Sequence, residues 1–210
     1  MPIPMTKHYT LYKFDELSDA AKEKAREWFR RDYPDYDWWE FVYEQADTAA
    51  KHLGIDIDRK GKHTPAIYFS GFWSQGDGAC FEGSYRYKKG WRSALLHEFG
   101  PGDTLNELLS IGQALQAAQA SQFYKLEATC WRHGSYQHSG CMSVEVTHAD
   151  SMYRDIGDAE SGIRDALRAF ADWIYDCLES EHAWLTSDEQ VDESIIANEY
   201  TFLENGERED

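Results

Sequence analysis

Five carboxylates recur at helical spacing in the last third of the chain. They lie three, four or seven residues apart, at Asp158, Asp165, Asp172, Asp176 and Glu179. On an α-helix these spacings place the side chains on one face, with charges three or four residues apart separated by about 5–6 Å along the axis. That separation is close to the one between phosphates along a nucleic-acid strand. The row is therefore predicted to face a basic partner. The alternative interpretation is that these carboxylates form the solvated face of a surface helix.

A glycine-rich loop, Ser74-Gln75-Gly76-Asp77-Gly78, is the second candidate. Concave glycine-rich turns present backbone amides to anions, so the loop is a possible site for a small anionic ligand. It leads into a predicted strand and not into a helix, so it matches neither common phosphate-loop pattern. The alternative is a structural hairpin turn in which the glycines take positive φ and Asp77 bonds its own backbone.

Two cysteines and two histidines have a spacing that resembles a zinc site: Cys130, His133, His138 and Cys141. Side chains alternate along strands, which puts Cys130 and His138 on the core face and the other two on the opposite face. Four ligands on two faces cannot close one tetrahedron. We therefore expect no metal at these residues, and no other residues call for a cofactor.

Catalytic groups are not defined by any spacing in the sequence. Cys80 lies close to Asp77 and Glu82, whose charges would raise the pKa of its thiol, the wrong direction for a nucleophile. No catalytic residue is assigned. The question of an enzyme stays open, with a non-enzymatic protein favoured.

The charge of the chain is strongly acidic and unevenly distributed. The formal net charge is −17, and residues 126–210 carry 20 acidic and 5 basic side chains against 18 and 16 in residues 1–125. Phosphates would be repelled by the C-terminal half, which argues against direct nucleic-acid binding. A basic protein surface would be attracted, and association with it would be faster.

The composition is that of a folded protein, with 42% hydrophobic and 15% aromatic residues. No run approaches the roughly 18–20 apolar residues of a membrane span, and the first residues contain no apolar signal core. Four cysteines do not suggest a disulfide framework. These features predict a cytosolic protein with no membrane partner.

Periodicity in the first half predicts a strand over residues 7–14 and a helix capped by Ser18. A second helix runs from about Trp38 to Leu53 and stops at Gly54. Strands follow over residues 55–58, 66–73 and 79–88, then a loop over 88–102. The pair Thr104 and Glu107 predicts a capping box that opens a helix to about residue 120.

The second half begins with a hairpin of strands over residues 124–132 and 137–147. A long helix is predicted over 155–181, a short helix capped by Ser187, a strand over 199–204 and a frayed acidic tail over 205–210. The blocks lack a regular βαβ rhythm, which indicates an α+β fold. We expect one domain over 1–210, with a mostly antiparallel sheet of two aromatic-rich hairpins plus edge strands, flanked by about five helices.

Three segments resemble uncharacterised proteins encoded by bacteriophages and prophages. They are Tyr12-x-Phe14-x-Glu16-Leu17-Ser18-x-x-Ala21-Lys22, Ser70-Gly71-Phe72-x-Ser74-Gln75-Gly76-Asp77-Gly78-Ala79, and Trp184-Leu185-Thr186-Ser187 with Ile195-x-Ala197-Asn198-Glu199-Tyr200-x-Phe202. The similarity spans nearly the whole chain, and the central loop is its most specific part. Some of the similar proteins have antitoxin-like names, and the resemblance carries over no catalytic residue.

A phage origin implies a small acidic protein of the host cytosol that binds and disables a host defence complex, as anti-CRISPR proteins do. The leading hypothesis is an inhibitor that mimics the charge of DNA and binds a host protein with a basic surface. The alternatives are an antitoxin-like protein that neutralises a toxin, and an enzyme or binding module for a small anionic ligand at Gly76-Asp77-Gly78. The oligomeric state is not predicted.

Overall fold

The computed structural model describes residues 9–151 and 155–208, and their contacts divide the chain into two compact units. The terminal unit comprises the residues up to Trp38 and those from Ser180 on, and the central unit is Trp39–Glu179. The predicted α+β class is confirmed, since the described residues form six α-helices and antiparallel sheets. A single domain over 1–210 stays a prediction.

The terminal unit pairs the two ends of the chain. Strand β1 (Tyr12–Lys13) lies antiparallel to β10 (Thr201–Phe202). The strands predicted over 7–14 and 199–204 are therefore much shorter than expected, and residues 7 and 8 lie outside the described residues. At the end of β1 the Glu16 carboxylate accepts a bond from the Lys13 amide at 2.8 Å. This bond favours a turn over a longer strand, and the chain continues as a 3₁₀ helix over Phe14–Glu16.

Two serine caps open the helices of this unit, as predicted. Helix α1 (Asp19–Asp32) follows Ser18, whose hydroxyl accepts a bond from the Ala21 amide at 3.3 Å. The terminal unit also contains α6 (Asp188–Ala197), which follows Ser187, and this hydroxyl accepts from the Gln190 amide at 3.4 Å. Both bonds satisfy an amide that has no partner within its helix.

Apolar burial and the ion pairs of Arg26 and Arg30 join α1 to α6. The guanidinium of Arg26 binds both carboxylate oxygens of Asp192 at 2.7 Å. Beneath this pair lies a core of seven buried side chains: Phe14, Leu17, Ala21, Ala25, Val191, Ile195 and Phe202. The frayed tail over 205–210 stays a prediction. Within it the Gly206 amide bonds the Leu203 carbonyl at 2.9 Å, and residues 209 and 210 lie outside the described residues.

The central unit begins with helix α2 (Glu40–Leu53), which ends at Gly54 as predicted. Its early strands are short: β2 (Ile55–Ile57), β3 (Arg59–Lys60), β4 (Thr64–Pro65), β5 (Ile67–Ser70), β6 (Gly78–Phe81) and β7 (Gly83–Arg86). The later elements are α3 (Trp91–Glu98), α4 (Asp103–Ala120), β8 (Leu126–Arg132), β9 (Met142–His148) and α5 (Ala159–Leu185). Helix α5 continues into the terminal unit from Ser180.

Four strands form the largest sheet, in the antiparallel order β2-β7-β8-β9. The hairpin β5–β6 carries the glycine-rich loop and forms its own two-stranded sheet. The strand predicted over 79–88 is divided at Glu82, so its two halves pair with different partners. The Glu82 carboxylate accepts a hydrogen bond from the Tyr68 hydroxyl at 2.9 Å and another from the Arg132 amide at 3.3 Å. These two bonds join the hairpin to β8.

Helix α3 corrects the loop predicted over 88–102. Its Trp91 and Leu95 are buried one turn apart, and the Trp91 ring packs directly on Gly112 of α4. The capping box predicted at Thr104 and Glu107 is also wrong, because α4 begins two residues earlier than a cap at Thr104 requires, after Gly102, and has no side-chain cap. Both errors have the same origin. Neither α3 nor α4 has a side-chain cap, so the local sequence contains no cap that marks where these helices begin.

Helix α5 lies four residues later than the predicted span of 155–181. Its predicted apolar stripe faces the interior: Ile163, Leu167, Phe170 and Ile174 are fully buried, and Cys177 is half-buried. Phe170 meets Phe81 of β6 edge-on, with ring centroids 5.7 Å apart. Among the helices of residues 9–151 and 155–208, none combines the length and apolar character that a membrane span requires.

Candidate functional site

The five predicted carboxylates are all exposed in the structure. We call Asp158, Asp165, Asp172, Asp176 and Glu179 the acidic row. Its last four members lie in α5 within an arc of about 60°, opposite the buried stripe, at about 100° per residue. Asp158 lies one residue before the helix, and its carbonyl accepts a bond from the Gly162 amide at 3.1 Å. The packing of α5 thus presents the row outward as one surface.

Electrostatic repulsion is strongest at Asp176. Partial burial raises the pKa of its carboxyl, and the charges of Glu107, Asp172 and Glu179 add to the rise. Glu107 belongs to α4, so the negative surface continues onto a second helix. Sequence reasoning assigned Glu107 to a helix cap and missed this role, because only tertiary packing brings α4 beside α5.

Basic side chains do little to neutralise this surface. Helix α4 contains no lysine or arginine. In α5, Arg164 pairs with Glu160 on the preceding turn, and Arg168 donates to the Met142 carbonyl at 3.2 Å. Both arginines are directed towards other groups, so the acidic row keeps its negative potential.

A groove of about 520 Å³ runs between α4 and α5 beside the start of the row. Small side chains form most of its lining, among them Ala114 and Ala117 from α4 and Gly162 and Ala169 from α5. Asp158 and Asp165 line it from the acidic side. The first half of the row therefore borders a concave apolar surface.

The loop Ser74-Gln75-Gly76-Asp77-Gly78 is folded around its own carboxylate. The Asp77 carboxylate accepts bonds from the amides of Trp73 at 2.9 Å and Ser74 at 2.6 Å. Gly71 faces this carboxylate with φ of +50°, and a β-carbon there would lie 2.3 Å from an Asp77 oxygen. Two backbone amides that could bind an anion are therefore already bonded to Asp77. This arrangement matches the alternative of a structural hairpin turn in which Asp77 bonds its own backbone. A ligand role stays a prediction.

Aromatic side chains surround the loop and connect it to the acidic row. We call Phe72, Trp73, Tyr136 and Tyr175 the aromatic patch. Trp73 is 82% exposed and Tyr136 is 64% exposed. Tyr175 of α5 stacks on Phe72 with centroids 5.5 Å apart and donates to the Gly71 carbonyl at 3.4 Å.

Charges from both the loop and the acidic row act on the hydroxyl of Tyr175. Burial raises the pKa of its hydroxyl, and the charges of Glu179, Asp77 and Asp176 raise it further. Asp77 therefore lies within electrostatic range of the same hydroxyl as the end of the row. The sequence presents these features as separate candidates about 100 residues apart, and the fold places them on one surface.

The four residues with zinc-like spacing are not arranged as predicted. His138 and Cys141 were expected on opposite faces, but their Nε2 and Sγ atoms lie 3.2 Å apart. The chain leaves β8 at Arg132 and forms a 3₁₀ turn over Ser139–Cys141, so strand alternation does not extend through this segment. Cys130 is buried in the core. Within the described ranges, His, Cys, Asp and Glu form no group of three or more that would hold a metal.

The thiol of Cys80 is shielded from catalysis mainly by its position in the core. Burial raises its pKa to about 11, with Arg132 opposing the rise and Glu82 adding to it. The direction is the predicted one, but its main cause is burial, and Asp77 is not among the charges that act on this thiol.

A polar cluster that sequence reasoning missed lies around Tyr68. The Lys60 nitrogen is 3.4 Å and the Arg132 guanidinium carbon 4.3 Å from the centre of its ring, and its hydroxyl binds Glu82. Burial lowers the pKa of Lys60, and the charge of Arg132 lowers it further. Each of these four groups contacts another, so the cluster joins β3, β5 and the junction between β6 and β7 to β8.

Comparison with known proteins identifies one family. Its model, described as a domain of unknown function (DUF8835), matches residues 38–188, which is more than half of the 210-residue chain and includes the whole central unit. No curated protein and no solved structure matches the chain. The acidic row, the glycine-rich loop and the aromatic patch all fall within the matched segment. The chain therefore belongs to the DUF8835 family.

Proposed function

We propose that this chain is a non-enzymatic, phage-encoded acidic protein that binds and inhibits a basic protein of its bacterial host in the cytosol. The proposed target class is a defence complex with a basic nucleic-acid groove, which the chain occupies as a DNA mimic. The observation that carries the proposal is the acidic row, exposed along one face of α5 while both arginines of that helix bind elsewhere.

The row is suited to such a groove by its rigidity and its charge. The carboxylates are held by a helix of 27 residues whose opposite face is buried in the core. A basic groove that binds phosphates would gain favourable contacts without reordering the inhibitor. Long-range attraction would also speed association, and added salt would weaken it.

The aromatic patch supplies the contact area that charge alone does not provide. Exposed tryptophan and tyrosine side chains contribute disproportionately to protein interfaces. Trp73 and Tyr136 lie beside the loop, and Tyr175 connects that loop to the end of the row. The proposed interface therefore has a charged part on α5 and an aromatic part at the β5–β6 hairpin.

The test is capture of host proteins on immobilised protein, with charge reversal in the row. Wild-type protein is expected to retain a host protein that is released by NaCl and displaced by double-stranded DNA. The double variant Asp165→Lys/Asp172→Lys is expected to retain it at least about tenfold less, because attraction becomes repulsion at the centre of the row. Addition of wild-type protein is expected to inhibit the nucleic-acid binding of the captured protein.

The matched control is Glu145→Lys/Glu204→Lys, which changes the net charge equally at exposed positions outside the row. It is expected to retain the target as wild type does. Equal capture by wild type and the row variant, or capture that is indifferent to NaCl and DNA, would contradict the proposal.

A further inference from the structure

The terminal unit contains a cavity of about 500 Å³ with aromatic walls. Five rings line it, from the end of α1, the segment after α1 and the residue before β10: Trp28, Phe29, Tyr33, Tyr36 and Tyr200. Trp28 and Tyr200 stand nearly perpendicular, at 85°, with centroids 5.4 Å apart, and Phe29 lies 4.5 Å from Tyr33. We call these five residues the aromatic cage.

A cation already lies in this cage. The guanidinium carbon of Arg208 is 4.7 Å from the ring centre of Trp28 and 4.7 Å from that of Tyr200. Both distances are within the range of cation–π attraction, which is strongest for tryptophan. Two faces at nearly right angles thus hold one planar cation.

Arg208 reaches the cage from a short terminal segment with few anchors. The Leu203 amide bonds the Glu207 carbonyl at 2.8 Å, and the Gly206 amide bonds the Leu203 carbonyl at 2.9 Å. Arg208 itself is exposed and is not one of the seven residues in the core of the terminal unit. Its guanidinium can therefore leave the cage without unfolding of α1 or α6.

We propose that the aromatic cage is a binding site for an arginine side chain of a protein partner, and that Arg208 occupies it in the free chain as an intramolecular competitor. The charges of the cavity support a cation as the ligand. Asp35 and Arg208 are the charged residues of its lining. When Arg208 leaves, Asp35 remains beside the aromatic faces as the counter-ion for an incoming guanidinium.

The site is separate from the acidic row and does not rest on the proposed function. All five cage residues, together with Asp35 and Arg208, lie outside the segment 38–188 that the family model matches. They belong to the terminal unit, whereas the row belongs to the central unit. The proposed function can fail while this site is real, and the reverse also holds.

The experiment measures binding of N-acetyl-arginine methylamide to wild type and to Arg208→Ala, using the indole NMR signal of Trp28. A Trp28→Phe variant identifies that signal. The probe is expected to shift it saturably in Arg208→Ala. In wild type the apparent Kd is expected to be at least about threefold higher, because the cage is open for only a fraction of the time.

Three controls make the result decisive. The citrulline analogue of the probe has the same shape without the charge and is expected to cause no saturable shift. The double variant Arg208→Ala/Tyr200→Leu lacks one of the two faces and is expected to lose most of the binding, with backbone NMR signals that show an intact fold. Arg208→Lys keeps a competing cation and is expected to resemble wild type.

The proposal is overturned if Arg208→Ala binds the arginine and citrulline probes equally. Equal apparent Kd values in wild type and Arg208→Ala would also overturn it, since Arg208 would then not compete. Saturable binding of adenosine monophosphate in preference to the arginine probe would likewise contradict it, because the rings would then stack a base.

Discussion

At the scale of single residues, Asp176 occupies the least favourable electrostatic position of the acidic row. It has like charges one turn away on both sides, at Asp172 and Glu179, and a third from Glu107 of α4. By contrast, Asp165 has no acidic residue three or four positions away. Repulsion in the row is therefore concentrated at its C-terminal end.

Replacement of Asp176 by asparagine is expected to stabilise the protein at neutral pH. The like-charge neighbours on its own helix predict a gain of about 0.5 kcal/mol in the free energy of unfolding. The pKa of Asp176 is raised in the folded state, so its charge lowers stability as pH rises from the ordinary value of 3.8 through the raised pKa. Urea unfolding should show the gain at neutral pH and its loss below pH 3.8.

Asp165→Asn is the control for this prediction, because it removes one charge from the same exposed face. It is expected to change the free energy of unfolding less than Asp176→Asn does. A gain at Asp176 that persists below pH 3.8 would show that the effect is not electrostatic.

At the scale of elements, the contact between α3 and α4 depends on a glycine within a helix. A β-carbon at Gly112 would lie 2.2 Å from Cζ3 of Trp91, and the Trp91 indole is held by a bond to the Gln116 side chain at 2.8 Å. The ring cannot move aside without the loss of this bond. The absence of a side chain at Gly112 allows Trp91 to pack against α4. This contact stabilises α3, although no local motif in residues 88–102 predicts a helix.

Gly112→Ala is therefore expected to destabilise the protein, although alanine is the better helix former. Overpacking of this kind lowers the free energy of unfolding by about 1–3 kcal/mol. In a Trp91→Phe background the outer ring atoms are absent, and the same change is expected to be neutral or to stabilise by up to about 1 kcal/mol. Chemical denaturation of the four proteins of this cycle measures both effects. A similar loss in both backgrounds would contradict the contact.

At the scale of the whole molecule, the net charge of −17 opposes folding, because the folded state brings the charges together. The charge asymmetry along the chain concentrates this repulsion in residues 126–210, which include α5 and α6. This repulsion lowers the stability of the folded state. Under the proposed function, binding of a basic partner would reduce the repulsion.

Stability is expected to rise with salt at neutral pH. Between about 10 mM and about 150 mM NaCl the screening length falls from about 30 Å to about 8 Å, so repulsion across the molecule is largely removed. Urea unfolding should give a higher free energy of unfolding at the higher concentration. Near the isoelectric point of 4.8 the net charge vanishes, and the same increase in salt is expected to have little effect. Equal salt effects at both pH values would contradict the role of net charge.

The features that depend on neighbouring residues were predictable from the amino-acid sequence alone. The serine caps at Ser18 and Ser187, the buried stripe of α5 and the exposed row opposite it follow from helix periodicity and local hydrogen bonding, so they were predictable. The α+β class followed from the order of such elements. The starts of α3 and α4 did not, because neither helix begins with a side-chain cap.

The fold determines which distant residues share a surface. It placed Asp77 near the end of the acidic row through Tyr175, added Glu107 from α4, and put Arg208 between Trp28 and Tyr200. Apart from Arg208 and Tyr200, which are about 8 positions apart, these contacts join residues about 70 to 180 positions apart in the sequence. Local periodicity carries no information about such pairs, since their meeting depends on how whole elements bury their apolar faces together.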